Sequence, residues 1–289
     1  MTDDPFVTHR SLLFTVAYEM LGSAADAEDV VQETWLRWAD VDRAEVRDPR
    51  AYLVRIVTRQ ALNRLRTLAR RREEYVGEWL PEPLLTSPDV AEDVEFAESV
   101  SIAMLTVLET LAPVERAVFV LREVFDLPYA DIAAAIDKTP AAVRQIAHRA
   151  REHVAARRPR IRVDRAEQQR VVDRFLAALQ SGDVQRLLDV LAPDVVLIAD
   201  GGGEVTAFRR PVVGSERVAS LLSRFKTVAP RAVVGTVWLN GAPAARIDRA
   251  GALDTVVSLA VADGRITRIY AIRNPQKLAR LDEAAMLSR

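Results

Sequence analysis

The first 72 residues carry apolar side chains at helical spacing. Ser23 is a suitable N-cap, because its side-chain oxygen can accept a hydrogen bond from a free amide of the first turn. Val31, Trp35 and Trp38 follow at positions i, i+4 and i+7, which places them on one face of a helix. We therefore predict an amphipathic helix with both tryptophans in the core. After Pro49, apolar residues at positions 52, 53, 56, 61, 62 and 65 predict a second amphipathic helix.

Residues 111 to 158 carry the pattern of a helix-turn-helix. One helix opens in the run LAPVER, and a short second helix has the sequence ADIAAAI. Lys138 lies in the following turn, Thr139 is the expected N-cap, and Pro140 occupies the first helical position, where no amide donor is needed. The exposed polar positions of the third helix are Arg144, Gln145, His148 and Arg149. Arginine can pair with guanine and glutamine with adenine, so this helix is predicted to enter a major groove.

From residue 165 onward, two helices precede a series of strands. Apolar positions 171, 172, 175, 176 and 179 predict a helix that ends at Ser181, and leucines at 187, 188 and 191 predict another. Strand-like runs follow at 195–199, 233–239, 244–247, 253–261 and 266–272, with a helix over 214–225. Helices followed by an antiparallel sheet are typical of an α+β domain.

The composition fits a globular protein of about two domains, because the chain has 289 residues and 49% hydrophobic residues. Cysteine is absent, which excludes disulfides and thiolate metal sites. An acidic N-terminus and the lack of ~20 consecutive apolar residues predict a cytoplasmic protein with no membrane partner. We expect no cofactor and no bound metal.

The net charge of −1 conceals strong segregation along the chain. Residues 73–100 hold nine acidic and no basic residues, whereas residues 165–289 hold 18 basic and 13 acidic ones. Because Pro81, Pro83 and Pro88 favour extended backbone, we predict that about 73–88 form an extended, unpacked linker. The helix after Pro49 has a polar face suited to a phosphate backbone, formed by Arg55, Arg59, Asn63, Arg64 and Arg66.

Three stretches in this order resemble the extracytoplasmic-function sigma factors of bacterial RNA polymerase. The run DAEDVVQETWLRW from Asp26 is similar to the region 2 helix that binds the polymerase clamp helices. DPRAYLVRIVTRQALNRLR from Asp48 resembles the next helix, which melts the promoter and reads the minus-ten element. LAPVERAVFVLREVFDLPYADIAAAIDKTPAAVRQIAHRARE resembles region 4, which reads the minus-thirty-five element. The resemblance covers roughly residues 6 to 158.

The resemblance implies two partners, core RNA polymerase and promoter DNA. The expected polymerase-binding residues are Asp26, Asp29, Gln32 and Glu33. The expected DNA-binding residues are Arg55, Arg59, Asn63, Arg64, Lys138, Thr139, Arg144, Gln145, His148 and Arg149. Arg59 departs from the family pattern, since many members carry asparagine there, and Ala142 stands where threonine is common.

Three further motifs resemble a subgroup with a C-terminal SnoaL-like, ketosteroid-isomerase-like cone. They are WLPEPL at 79–84, IADGGG at 198–203 and NPQKL at 274–278. The expected regulatory interdomain residues are Trp79, Leu80, Pro81, Asp200, Asn274, Pro275, Lys277 and Leu278. The predicted fold is thus multidomain, with two all-α sigma domains followed by an α+β cone. The predicted boundaries are region 2 at 1–72, the linker at 73–100, region 4 at 101–162 and the regulatory domain at 165–289.

The predicted function is promoter-specific initiation, with the cone as a built-in regulator that the acidic linker helps to dock. An alternative is a helix-turn-helix regulator whose cone senses a ligand or acts as an enzyme, and a third is a cone that dimerises. An unidentified small ligand in the cone stays open. We favour no catalytic role, because all three histidines lie upstream of the cone, which leaves only Asp, Glu, Tyr270 and Lys as acid–base groups. A carboxylate such as Asp200 could still act as one.

Overall fold

The computed structural model describes residues 4–73, 75–157, 165–205, 207–281 and 283–289, with backbone only at 69–73 and 91–92. Contacts divide these residues into two units. The helical unit comprises residues up to 73, 104–157 and 286–289, and the cone unit comprises 75–103 and 165–285. The cone unit therefore includes most of the predicted linker, which differs from the division expected from the sequence.

The helical unit begins with three helices: α1 (Pro5–Leu21), α2 (Ala24–Ala39) and α3 (Pro49–Glu73). Ser23 caps α2, as predicted, by accepting a hydrogen bond from the Asp26 amide at 3.2 Å. Trp38 is fully buried and its indole Nε1 donates to Asp4 Oδ1 at 3.0 Å. The prediction for Trp35 was wrong, because this side chain is 39% exposed, although its ring contacts that of Phe6.

Five helices follow, of which the first lies in the cone unit and the last three form the helix-turn-helix. They are α4 (Val94–Ser99), α5 (Ile102–Leu108), α6 (Pro113–Phe119), α7 (Tyr129–Ile136) and α8 (Pro140–Arg157). A π-helical turn, Val120–Val124, extends α6. Asp137 ends α7 in the left-handed conformation, and Thr139 Oγ1 caps α8 by accepting from the Ala142 amide.

A buried arginine ties α6 to the end of α1. Arg116 is 1% exposed, and its Nε donates to the Glu19 carbonyl at 3.0 Å while Nη1 pairs with Glu109 at 2.7 Å. Burial lowers the pKa of Arg116 to about 9, so the group remains a cation at neutral pH. Loss of Glu109 would leave the buried guanidinium without its counter-charge, whereas the hydrogen bond to the Glu19 carbonyl links α6 to α1.

The cone unit is a six-stranded sheet with helices on one face. Its elements are α9 (Arg165–Ser181), α10 (Val184–Val190), β1 (Leu191–Asp200), β2 (Val212–Val213), α11 (Ser215–Leu222), α12 (Phe225–Val228), β3 (Val233–Leu239), β4 (Ala242–Arg249), β5 (Ala252–Ala262), β6 (Arg265–Ile272) and α13 (Pro275–Leu278). The strand order is β2-β1-β6-β5-β4-β3, with β1 and β6 parallel and the other pairs antiparallel. Alternate strand residues such as Val257 and Leu259 pack under α9, α10 and α11. This arrangement confirms the predicted α+β class.

The opposite face of the sheet is covered by the segment 75–103. Leu80 is fully buried against Val256, Ala260, Tyr270 and Ile272, which point away from the helices. Main-chain hydrogen bonds add to this packing, including Thr86 N to Trp238 O at 3.0 Å and Asn240 N to Leu84 O at 2.9 Å. The expectation of an unpacked linker was therefore wrong, although residues 79–84 contain no helix and no strand.

Candidate DNA-binding surfaces and a buried contact

The third helix of the helix-turn-helix presents a polar face to solvent. Arg144, Gln145, His148 and Arg149 are all exposed on α8, opposite a buried stripe that includes Val143, Ile146 and Ala147. Lys138 and Thr139 are exposed at the start of this helix. The only charge contacts of the four side chains among the described residues are loose, at 3.6 Å from His148 to Glu152 and 3.9 Å from Arg149 to Glu115. All six candidate residues are therefore open to a ligand along one helix.

The predicted polymerase-binding and DNA-binding faces of region 2 meet each other. Arg64 Nε donates to Asp26 Oδ1 at 2.6 Å, and its Nη2 pairs with Asp29 at 3.1 Å. The hydrogen bond that Arg64 donates to Asp26 raises the pKa of Arg64 above its usual value. Gln32 and Glu33 are exposed on α2, and Glu33 accepts a hydrogen bond from Gln60 of α3. Sequence reasoning placed these acids and bases on separate surfaces and missed their pairing.

Arg59 is engaged by the helix-turn-helix. Its Nε donates to the Ala135 carbonyl at 3.1 Å and its Nη2 to the Ala134 carbonyl at 3.0 Å. These are terminal carbonyls of α7, and a cation there also complements the helix dipole. Asn63 is exposed and accepts from Arg66. In this arrangement three of the four candidate DNA-binding residues of α3, Arg59, Asn63 and Arg64, are hydrogen-bonded within the protein.

A groove of about 470 Å³ lies beside Arg55. Its lining includes the loop 41–48, the ring of Tyr52 and residues Asp131 and Ala134 of α7. The Arg55 guanidinium lies 5.1 Å from the centre of the Tyr52 ring. A partly exposed aromatic ring stacked with an arginine is a surface on which an unpaired base can stack.

The three cone motifs converge on one buried ion pair. Lys277 Nζ lies 2.6 Å from Asp200 Oδ2, and the two side chains are only 6% and 0% exposed. Asp200 also accepts from the backbone amides of Leu80 at 2.9 Å and Gly202 at 3.0 Å. Lys277 donates in addition to the Leu80 carbonyl. One carboxylate and one ammonium group therefore hold both main-chain groups of Leu80 on the cone.

Two aromatic rings of the segment 75–103 complete this contact. Lys277 Nζ lies 3.2 Å from the centre of a Trp79 ring, which is a close cation–π contact. The Tyr75 hydroxyl donates to Asp200 and accepts from Asn274 Nδ2 at 2.9 Å. The pKa of Tyr75 is raised well above its usual value, chiefly because the hydroxyl is removed from water and secondly because it lies next to Asp200. The hydroxyl therefore stays protonated and acts as a donor. We call this set of residues, with Leu80, the linker lock.

The remaining predicted residues frame the linker lock. Pro81 and Leu278 are buried, Asn274 caps α13, and Pro275 is exposed at the first position of that helix. Sequence reasoning missed Tyr75 and also Asn240, whose Oδ1 accepts from the Leu84 amide while its Nδ2 donates to the Val100 carbonyl. A single tyrosine or asparagine has no periodic signal, and only a position next to a known motif could have indicated Tyr75.

Comparison with known proteins decides the family. Sigma-70 region 2 matches residues 6–71, and Sigma-70, region 4 matches residues 101–154. The chain is 36% identical over 286 residues to the ECF RNA polymerase sigma factor SigJ of Mycobacterium tuberculosis, covering 94% of this chain and 91% of that protein. The chain belongs to the extracytoplasmic-function (ECF) sigma factors. The probable sigma factor SigI of the same species is 34% identical, covering 93% of this chain and 92% of its own length.

The crystal structure of SigJ has the same architecture. It superimposes with a TM-score of 0.77 at 34% identity, covering 96% of this ECF sigma factor and 98% of the SigJ chain. The predicted fold, with two helical sigma domains before a SnoaL-like cone, is thereby confirmed.

As an ECF sigma factor, the protein directs promoter-specific transcription, and its two sigma regions imply core RNA polymerase and promoter DNA as partners. The alternative of a stand-alone helix-turn-helix regulator is not favoured. In the part of the chain that the structure describes, no helix has the length and apolarity needed to cross a membrane.

Proposed function

We propose that the cone of this ECF sigma factor regulates initiation in cis by holding the segment that connects regions 2 and 4. The observation that carries the proposal is the linker lock, in which buried Asp200 and Lys277 bind the backbone of Leu80. The charge attraction expected between linker acids and the cone is not the basis of this contact, because the carboxylate of the ion pair belongs to the cone itself. The segment contributes hydrogen-bonding groups and apolar surface instead.

Promoter geometry explains why such a contact would matter. The minus-ten and minus-thirty-five elements lie about 25 base pairs apart, which corresponds to roughly 85 Å along the duplex. A fully extended segment from residue 73 to 103 reaches about 100 Å, little more than this distance. With Leu80 to Thr86 fixed on the sheet between Asp200 of β1 and Leu239 of β3, this stretch cannot change its length or direction to suit the promoter. Docking would therefore restrain the separation of regions 2 and 4.

The roles of individual DNA-binding and polymerase-binding residues form part of the proposal. The exposed face of α8 would read the minus-thirty-five element, and Arg55 with Tyr52 would receive bases of the minus-ten element. Arg59 and Arg64 would have to leave their internal partners to reach DNA. The acids Asp26 and Asp29, once released by Arg64, would be available to core polymerase together with Gln32 and Glu33.

We further propose that the cone acts without catalysis and that the protein works in the cytoplasm with its polymerase. Asp200, the acid–base candidate of the sequence, is fully buried and accepts hydrogen bonds from Lys277 and from two backbone amides. A substrate would have to displace these donors. The helical face of the sheet is filled by aliphatic side chains such as Leu197, Leu259 and Ile269, which gives an added small ligand no support.

Run-off transcription with purified core polymerase tests the proposal. We expect promoter-specific transcripts only when the chain is added. Lys277→Met, which breaks the linker lock, should raise the yield at least twofold at equal protein concentration, as should removal of residues 275–289. Arg246→Met is the matched control, because its ion pair with Asp248 lies on β4 and is partly exposed, and it should leave the yield unchanged. Equal or lower yields for Lys277→Met would overturn restraint by the linker lock, whereas transcripts without the chain would contradict sigma activity itself.

A further inference from the structure

The net positive charge of the C-terminal domain is confined to one connection between strands. Residues 207–232 contain six basic residues and a single acid, Glu216. The rest of the stretch 165–289 contains twelve basic and twelve acidic residues and is therefore neutral. Such segregation is not explained by solubility, which would be served equally well by charges spread over the whole surface.

The connection crosses the whole sheet. It runs from β2 at one edge to β3 at the other and contains α11 and α12. With strands about 4.8 Å apart, five intervals span about 24 Å. The six basic residues are exposed along this path, two just before β2, one on α11, one just before α12, one on α12 and one just before β3: Arg209, Arg210, Arg217, Arg224, Lys226 and Arg231. We call these six residues the basic crossover.

The basic crossover has no partner among residues 165–205, 207–281 and the other described ranges. None of its six side chains forms an ion pair or hydrogen bond there, whereas Arg246, Arg273 and Lys277 of the same domain all pair with carboxylates. Val218 and Ala219 anchor α11 in the core, so the fold of the connection does not depend on its charges. A row of exposed cations without an internal role is available for an external anion.

We propose that the basic crossover binds the phosphate backbone of duplex DNA without reading its sequence. A 24 Å length of duplex carries about 14 phosphate charges, so six cations over that distance match a dense anionic partner. The protein is an ECF sigma factor, and promoter DNA is present whenever it acts. Backbone contacts of this kind add affinity and position a protein, while base contacts elsewhere provide specificity.

An anionic membrane is the competing ligand, and the geometry disfavours it. Phe208 is 41% exposed and Val228 67% exposed in this connection, but they lie on different elements. The apolar side of α11 faces the domain core through Val218 and Ala219. The helix α11 therefore has no free apolar face to insert between lipids, as an interfacial helix requires, and α12, with four residues, is too short to supply one.

The test measures salt-dependent binding of the full chain to a fluorescein-labelled 30-base-pair duplex of arbitrary sequence. Fluorescence anisotropy is recorded at 50, 100 and 200 mM NaCl for wild type and for the variant R217Q/R224Q/K226Q. The matched control, R170Q/R249Q/R280Q, removes three exposed basic residues from other parts of the same domain. Thermal melting verifies that all three proteins fold alike, as expected for exposed positions.

Loss of three phosphate contacts should reduce the slope of log K against log salt by about 2.7. Between 50 and 200 mM salt, the wild type should then lose about 40-fold more affinity than the variant. The control should change the slope by less than about 0.9, the value for one contact. Equal slopes for variant and control would overturn the proposal. It would also be overturned if the variant lost binding to vesicles containing 30% phosphatidylglycerol while its duplex slope stayed at the wild-type value.

Discussion

Lys277→Met is expected to release the segment 75–103 from the cone. Methionine retains most of the length of the lysine stem but removes the cation that contacts Asp200, the Leu80 carbonyl and the Trp79 ring. Asp200 would remain fully buried without its cationic partner. Removing one partner of a buried ion pair costs about 3–5 kcal/mol, and we assign this cost to the docked state of the segment.

Hydrogen exchange of peptides from residues 75–103 measures this cost directly. The amides of Leu80, Leu84 and Thr86 are hydrogen-bonded to the cone and exchange only when the segment opens. A loss of 3–5 kcal/mol in opening free energy corresponds to exchange about 150- to 5000-fold faster. Arg246→Met is the control, because the Arg246 and Asp248 side chains are 38% and 24% exposed and a pair of this kind contributes about 1 kcal/mol or less.

Proteolysis gives an independent measure of the same opening. The segment 75–103 contains seven acids and no basic residue, so a glutamate-specific protease, and not trypsin, reports on it. Because a proline follows Glu82, the bond to follow is the one between Glu78 and Trp79, whose ring contacts Lys277 when the segment is docked and which should be cleaved faster after opening. If Lys277→Met accelerated neither exchange nor cleavage beyond the control, the linker lock would not stabilise docking.

Two further variants examine the surroundings of the linker lock. Gly202→Ala should destabilise docking, because Gly202 has φ +67° and a Cβ there would lie 2.6 Å from the Asn274 side-chain amide. Gly235→Ala is the control, since the space around its Cβ site is open, and it should have little effect on the same hydrogen-exchange measurement. Equal effects of the two variants would contradict this account. Tyr75→Phe should change the pH dependence of melting. The pKa of Tyr75 is raised by burial and Asp200, so its contribution is complete below the unfolded pKa near 10 and is lost as the pH rises above it. The melting temperature of the wild type should therefore fall more steeply between pH 9.5 and 11 than that of Tyr75→Phe, and parallel curves would refute this role of the hydroxyl.

Periodicity was sufficient to predict the helices and most strands. The run 233–239 coincides with β3, because apolar alternation and bounding turns mark it clearly. Periodicity failed for Trp35, which it placed on the same helix face as the buried Trp38. The spacing of apolar residues defines a face, but it does not show how much of that face the neighbouring helices cover. The two-residue strand β2 was missed because it is too short to show alternation.

The functional contacts were only partly predictable, because their partners lie far apart in the chain. Motifs indicated Asp200 and Lys277, separated by 77 residues, but not that they would pair. Acidic composition suggested an unpacked linker, whereas the burial of Leu80 is decided by the sheet face beneath it. The engagement of Arg59 by the end of α7, likewise, depends on tertiary packing and leaves no local signal.

The burial of Leu80 across the sheet limits how this cone can be exchanged between proteins. A gene fragment that begins at Arg165 would encode every strand, yet the face formed by Val256, Ala260, Tyr270 and Ile272 would meet water. An exposed apolar face of this kind promotes aggregation. Recombination or protein engineering that transfers the cone must therefore carry residues 75–103 with it, although region 4 lies between the two in the sequence. Inheritance of the cone is thus tied to inheritance of the sigma factor around it.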